Sequence, residues 1–215
     1  MQKLTVHTGL AAPLLESNID TDVIYPARFL LMLEKDGIGK YAFHERRKHP
    51  EIPFILDTPP YDTARILVVG ANFGTGSSRE HAVWALADLG IRYVIARSFG
   101  EIFHANCVRN GVLPIVLDDP HMVALEAAAH ATEPVTIDLH AQKISLQSGT
   151  EIDFHVDSHH KRALMAGLDE IGSILEDDQD AIIAFEAERA KRQPWLSLGP
   201  QHRAFLDQKQ DQTDE

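Results

Sequence analysis

Cysteine is almost absent: Cys107 is the single one in 215 residues. No intrachain disulfide is possible, and this chain alone cannot supply four thiolates to a zinc site or an iron–sulfur cluster. Positive charge is also scarce. Lys and Arg total 20 against 32 Asp and Glu, a formal charge of −12. Nucleic acid and anionic membrane surfaces both demand clustered cations, so neither is an expected partner. No apolar run reaches membrane-spanning length, and no basic-then-apolar leader follows Met1. The expected location is the cytoplasm. Internal repeats are missing as well. What is present, 44% hydrophobic and 24% charged residues, is the composition of a globular protein with one sizeable core.

The middle of the chain carries the clearest pattern. Ile66-Leu67-Val68-Val69 is a continuous apolar run ending at Gly70, which predicts a buried strand. A glycine-rich turn follows, Gly70 to Ser78. Ala82, Ala85, Leu86 and Leu89 then repeat at helical spacing, and Gly90 closes the helix. Tyr93–Ala96 predicts the next strand, 101–110 a short helix and 115–117 a third strand. A further helix is expected from Pro120 to Ala131. Strand, helix, strand, helix, strand is an α/β signature. Beyond Pro134 the period changes to two: Val135, Ile137 and Leu139, then Ile144 and Leu146, then Ile152, Phe154 and Val156. This predicts an antiparallel meander with Ser148-Gly149 as one turn. Helices are expected near 158–166 and 179–192.

Other stretches give weaker expectations. Leu4–Val6 and Ala11–Leu15 read as short strands separated by a turn at His7-Thr8-Gly9. Asn18 to Pro26 reads as an ordered loop. A helix is expected around Phe29 to Lys35, and residues 50–63, with their prolines, as an extended connection. The acidic stretch from Asp169 to Asp180 reads as solvated surface. One domain is expected over 1–197, followed by a disordered tail over 198–215.

The glycine loop is the candidate site. Gly70-x-x-x-Gly74-x-Gly76 is not the dinucleotide fingerprint, and no Lys precedes Ser77, so it is not a phosphate-binding P-loop. Its glycines permit close backbone approach, and a helix N-terminus behind it offers free N–H groups. Ser77 and Glu80 have capping-box spacing. Arg79, placed in the first helical turn, would oppose the helix dipole. It makes better sense as a bidentate partner for a bound carboxylate. Ser77 and Ser78 add two hydroxyls. Among the neighbours, Asn72 suits bracing of the loop. Glu80 suits capping, and His81 a supporting position. Asp20, Thr21 and Asp22 fit either an Asx turn or the orienting of an arginine. The twelve histidines include no H-E-x-x-H pair and no convincing zinc set.

Gly70-Ala71-Asn72-Phe73-Gly74-Thr75-Gly76-Ser77-Ser78-Arg79-Glu80-His81-Ala82 resembles the signature of the swivelling domain of the aconitase superfamily. More narrowly, the chain resembles the small-subunit family of bacterial 3-isopropylmalate dehydratases. Asn18-Ile19-Asp20-Thr21-Asp22-Val23-Ile24-Tyr25-Pro26, Arg28-Phe29-Leu30, Ser98-Phe99, Gly111-Val112-Leu113-Pro114 and Gly167-Leu168-Asp169 agree in order, and the likeness spans about residues 1–192. The resemblance implies an α/β fold, a swivelling β/β/α domain with a mixed sheet core and flanking helices. It implies a heterodimer whose large subunit carries the [4Fe–4S] cluster, with no metal on this chain. The implied reaction interconverts 2- and 3-isopropylmalate through 2-isopropylmaleate, in leucine biosynthesis.

On the same grounds Ser77 is the base that takes the carbon-bound proton, and Arg79 binds a substrate carboxylate. Ser78 and Asn72 line the substrate, and Arg28, Phe29 and Leu30 select its side group. Asp20, Asp22, Gly74, Gly76, Glu80 and His81 support them. Two features depart from the family pattern. Thr75 stands where cysteine is common, and Asp157 to Arg162 replaces a more usual sequence. Two alternatives therefore remain: the same chemistry on methylmalate/citraconate or another 2-hydroxy diacid, and a non-catalytic domain that binds an anion or a partner.

Overall fold

Ile66–Val69 and Tyr93–Ala96 are fully buried strands at the centre of a seven-stranded mixed sheet in the computed structural model. The structure describes residues 1–32, 34–48, 51–196 and 199. In chain order the strands are β1 (Val6–Leu14), β2 (Ile66–Val69), β3 (Tyr93–Ala96), β4 (Leu113–Val116), β5 (Pro134–Asp138), β6 (Lys143–Leu146) and β7 (Glu151–Asp153). Their spatial order is β4-β3-β2-β1-β5-β6-β7. The first four are parallel neighbours, and the pairs from β1 through β7 are antiparallel. Pro114 is tolerated because β4 is an edge strand.

The side chains of the parallel half alternate between two cores, as strand geometry requires. Ile66, Val68, Tyr93, Ile95, Leu113 and Ile115 face helix α5 (Asp119–His130) and the antiparallel strands. Leu67, Val69, Val94 and Ala96 face helices α3 (His81–Asp88) and α4 (Glu101–Arg109). The expected mixed α/β sheet with flanking helices is therefore present.

Several local expectations are corrected. His7-Thr8-Gly9 is not a turn. Val6–Leu10 pairs antiparallel with β5 and Ala11–Leu14 pairs parallel with β2, so β1 is one continuous strand. No helix runs from Phe29 to Lys35; a single 3-10 turn covers Ala27–Phe29, and Leu33 lies outside the described residues. Asn18 to Pro26 is ordered but contains a short helix, α1 (Thr21–Ile24), capped by the Asp20 side chain. Another single helical turn, α2 (His44–Arg47), follows. In the expected extended connection, residue 50 lies outside the described residues and Ile55–Asp57 forms a 3-10 turn. The third strand begins two residues earlier than its apolar run suggests.

Helix α6 (Ser158–Ala166) starts at Asp157, whose carboxylate accepts from the His159 and His160 amides, and ends at left-handed Gly167. The chain divides into two units, Met1–Glu170 and Ile171–Glu215. The acidic stretch is itself helical, in α7 (Glu170–Asp177), which is followed in the second unit by α8 (Gln179–Arg192). The expected tail over 198–215 lies outside the described residues except for position 199. No helix among the described residues is long and apolar enough to cross a membrane.

Candidate functional site

After β2 the chain turns back across residues 18–21 and is laced to them. The Asn18 amide donates to the Ala71 carbonyl (2.8 Å), the Gly74 amide to Ile19 (2.8 Å) and the Thr21 amide to Thr75 (2.9 Å). Asn72 adopts a left-handed φ of 57°. Its amide donates to Ser98 Oγ (2.8 Å) and its side-chain Nδ2 to Asn18 Oδ1 (2.9 Å), so it braces the loop. Gly74 also has a left-handed φ and lies against the Phe103 ring at the start of α4. Gly74 to Ser77 and Gly100 to Phe103 together line a cleft of about 210 Å³.

Ser77 lines this cleft, and its hydroxyl lies 2.9 Å from that of Thr21, a buried residue of α1. Arg79 forms an ion pair with Asp22. The hydrogen bond from Arg79 holds the Asp22 carboxyl below the usual carboxylate range. The same Asp22 Oδ1 accepts from the Ala27 amide at 3.2 Å. One carboxylate thus ties Arg79 to the turn that carries Arg28, Phe29 and Leu30. Of the two readings of the Asp20–Asp22 stretch, the arginine partner is present, since Asp22 pairs with Arg79, whereas Asp20 caps α1 through the Val23 amide three residues on (2.8 Å) instead of closing an Asx turn.

The helix expected to begin at Ser77 begins at His81 instead. Ser77, Ser78 and Arg79 precede it, so Arg79 does not oppose the dipole from within the first turn. The capping box is not made. The Ser77 hydroxyl meets Thr21, and Glu80 Oε1 accepts from Asn110 Nδ2 at 2.7 Å. Ser78 is exposed. His81 lies between the rings of Tyr25 (5.9 Å) and Trp84 (4.6 Å). Gly76, at φ +101°, lies beside Asp20.

Arg28 pairs with Glu45 and its guanidinium covers the Phe29 ring at 4.9 Å. Phe29 stacks on Tyr41 at 4.4 Å and Leu30 is half-buried, whereas Leu31 is 92% exposed. Phe29 and Leu30, not Leu31, form the packed apolar part of this turn. Nothing in the local sequence signals the roles of Phe103 and Asn110, since both act on residues far away in the chain. Thr21 stood out only as part of its acidic stretch.

Among the described residues no three His, Cys, Asp or Glu side chains converge on a metal-sized space. Cys107 is fully buried, and burial pushes its thiol well above the usual range. An iron–sulfur cluster finds no ligand set on these residues. What the loop offers is a hydroxyl that lines a cleft beside a second hydroxyl and, two residues on, a guanidinium held by a carboxylate.

The family model of the aconitase C-terminal domain matches residues 1–120, and a second model, LeuD_N, matches residues 124–158. A 3-isopropylmalate dehydratase small subunit from Jannaschia sp. is 48% identical over 202 residues, covering 91% of this chain and all of that protein. One from Hahella chejuensis is 44% identical over 216 residues, covering 94% of this chain and all of the relative. The crystal structure of a 3-isopropylmalate dehydratase from Methanocaldococcus jannaschii superposes with a TM-score of 0.60 at 23% identity. It covers 84% of this chain and 99% of that one, and its likeness concerns the fold.

Proposed function

The chain belongs to the small-subunit family of 3-isopropylmalate dehydratases, in the aconitase superfamily, and from that premise we propose that Ser77 and Arg79 are its working groups. The family serves leucine biosynthesis as one part of a hydro-lyase complex. In our reading this chain joins a large iron–sulfur subunit, which holds the cluster, and acts on a dicarboxylate: 2-isopropylmalate, 2-isopropylmaleate and 3-isopropylmalate in turn.

Ser77 Oγ takes the carbon-bound proton during dehydration and returns it during rehydration. A serine oxygen is a strong base only when its anion is stabilised. The Thr21 hydroxyl, 2.9 Å away, can donate to it, and Arg79 lies two residues on. Removing a proton beside a carboxylate also builds charge on that carboxylate. The N–H donors of Arg79 that Asp22 leaves free hold it, and Asp22, which engages Nη1, sets their direction. Asp22 also anchors the Arg28-Phe29-Leu30 turn, so the carboxylate-binding group and the side-group selector keep a fixed spacing. Ser78 adds a hydroxyl at the exposed edge, and Asn72 holds the loop in shape.

The observation that carries this reading is the shared Asp22 carboxylate, which joins the motif arginine to the selector turn. The test is co-expression with the large subunit, followed by hydration assays on isopropylmaleate and on citraconate. Ser77→Ala should assemble normally and lose roughly 10²–10⁴-fold in turnover. Arg79→Lys should raise KM, because an ammonium cannot match the bidentate geometry. Near-normal turnover of the assembled Ser77→Ala enzyme would remove Ser77 as the base. Preference for citraconate would move the substrate to the smaller diacid.

A further inference from the structure

Helix α4 meets the motif loop along one of its faces. Phe103, Asn106 and Asn110 follow one another at i, i+3 and i+7, the spacing of a single helical stripe. They meet the motif in its own chain order. Phe103 lies against Gly74, Asn106 Nδ2 donates to the Ser78 carbonyl at 3.4 Å, and Asn110 Nδ2 donates to Glu80 Oε1 at 2.7 Å. The Ser78 carbonyl belongs to the peptide group that enters Arg79, and Glu80 is the residue that follows it. Arg79 is therefore bracketed by two asparagines from a different helix.

Neither asparagine is explained by α4 itself. Asn106 is one of three buried polar residues among those described, and another, Thr21, meets the Ser77 hydroxyl. A buried amide costs stability unless it finds a partner, and Asn106 finds one in the motif. Asn110 stands at the end of α4, yet its φ is −108°, and the left-handed position after it is taken by Gly111 at +74°. The helix end thus makes no demand for asparagine. The amide group does. Its Nδ2 donates to Glu80 and to the Asn106 carbonyl (2.9 Å), and its Oδ1 accepts from Trp84 Nε1 (2.9 Å) and Lys35 Nζ (3.1 Å). Lys and Trp only donate and a carboxylate only accepts, so these partners fix which way the amide faces. Glu80 stands at the start of α3 and Trp84 one turn further on. One amide therefore holds both ends of the turn that begins just past Arg79. We propose that Asn110, assisted by Asn106, is the positioning residue for Arg79: fixing the chain on both sides aims its guanidinium at Asp22 and at the substrate carboxylate. This inference rests on the reading of Arg79 as the carboxylate-binding group.

Carboxyl NMR on the full chain reads the place of Arg79 without substrate or partner. Arg79 holds the Asp22 carboxyl low, so withdrawal of Arg79 moves the Asp22 titration up toward the ordinary range. Asn110→Asp keeps an acceptor for Trp84 and Lys35 but sets a carboxylate against Glu80. The Asp22 titration should move up. In the enzyme assembled with the large subunit, KM should rise at least about tenfold, with a smaller change in kcat. Adding Glu80→Gln exchanges donor and acceptor at unchanged net charge, and should move both readouts back toward the parent values. Asn110→Ser removes the amide without adding charge and should shift both in the same direction as Asn110→Asp. Tyr61→Phe, which loses the hydrogen bond to the Ala129 carbonyl, is the stability control and should move neither. The proposal is overturned if Asp22 titrates in Asn110→Asp as in the parent chain, or if the double variant fares no better than the single one. Should Asn110→Asp fail to fold, an unmoved Asp22 in Asn110→Ser overturns it. An unchanged KM in Arg79→Lys would instead remove Arg79 as the carboxylate-binding group and leave the Asp22 readout intact, so the two failures are told apart.

Discussion

Replacing Gly74 by alanine tests how the motif loop is held. A Cβ there would stand 2.1 Å from Phe103 Cγ and 2.5 Å from both Cδ atoms. The ring has nowhere to go: Phe103 is buried, with Phe73 at 5.4 Å edge-on and Phe99 at 6.3 Å. The left-handed backbone costs alanine about 1–2 kcal/mol. Displacing a packed core side chain adds about 1–3 kcal/mol. The expected loss is therefore about 2–5 kcal/mol, at about 2–4 °C in Tm per kcal/mol for a chain of this size. Gly76 is the internal comparison. Its φ is +101°, yet the nearest atom to an added Cβ is Asp20 Cβ at 3.4 Å. Gly76→Ala should thus show backbone strain alone, about 1–3 kcal/mol.

A double-mutant cycle with Phe103→Ala, followed by urea unfolding of the full chain, separates the two terms. In the Phe103→Ala background, Gly74→Ala should become milder by at least about 1 kcal/mol, whereas Gly76→Ala should stay additive within about 0.5 kcal/mol. Additivity of Gly74→Ala with Phe103→Ala would refute the contact as the reason for that glycine.

Thr21→Val removes the hydroxyl that faces Ser77. Turnover of the assembled enzyme should fall while the isolated chain loses only about 1 kcal/mol of stability; unchanged turnover would free Ser77 from this partner. Asp22 titrates below the ordinary carboxylate range because Arg79 donates to it. Its pairing is complete above the ordinary value and is lost as pH falls through the depressed one. Carboxyl NMR should find the Asp22 titration returned to the ordinary range in Arg79→Gln. Cys107 is fully buried with its thiol pushed up, so iodoacetamide at neutral pH should leave the folded chain unmodified by mass. Rapid labelling before unfolding would contradict that burial.

The parallel half of the fold was legible because its strands are buried on both faces and read as unbroken apolar runs, at Ile66–Val69 and Tyr93–Ala96. The antiparallel half was legible from its alternation. What failed depended on distant partners. His7-Thr8-Gly9 carries turn residues, but pairing with β5, more than a hundred residues later, keeps it extended. Ser77 and Glu80 have the spacing of a local cap, yet each is taken by a non-local partner, Thr21 and Asn110. The identity of the site loop was carried by its motif. Its wiring was not, because Asp22, Thr21 and Phe103 reach it only through the folded chain.

The two matched family segments meet between residues 120 and 124, which invites cutting the chain there. Strand β1 argues against it. Its last residues belong to the parallel half and its first to the meander that follows residue 134. A fragment ending near residue 120 would strip Val6–Leu10 of its hydrogen-bonding neighbour. It would also bare Ile66, Val68, Ile95 and Ile115 where α5 and the meander now cover them. Such a fragment would carry the whole serine–arginine motif and still present a sticky open sheet edge. A boundary between two matched segments is therefore not a place where this sheet can be cut.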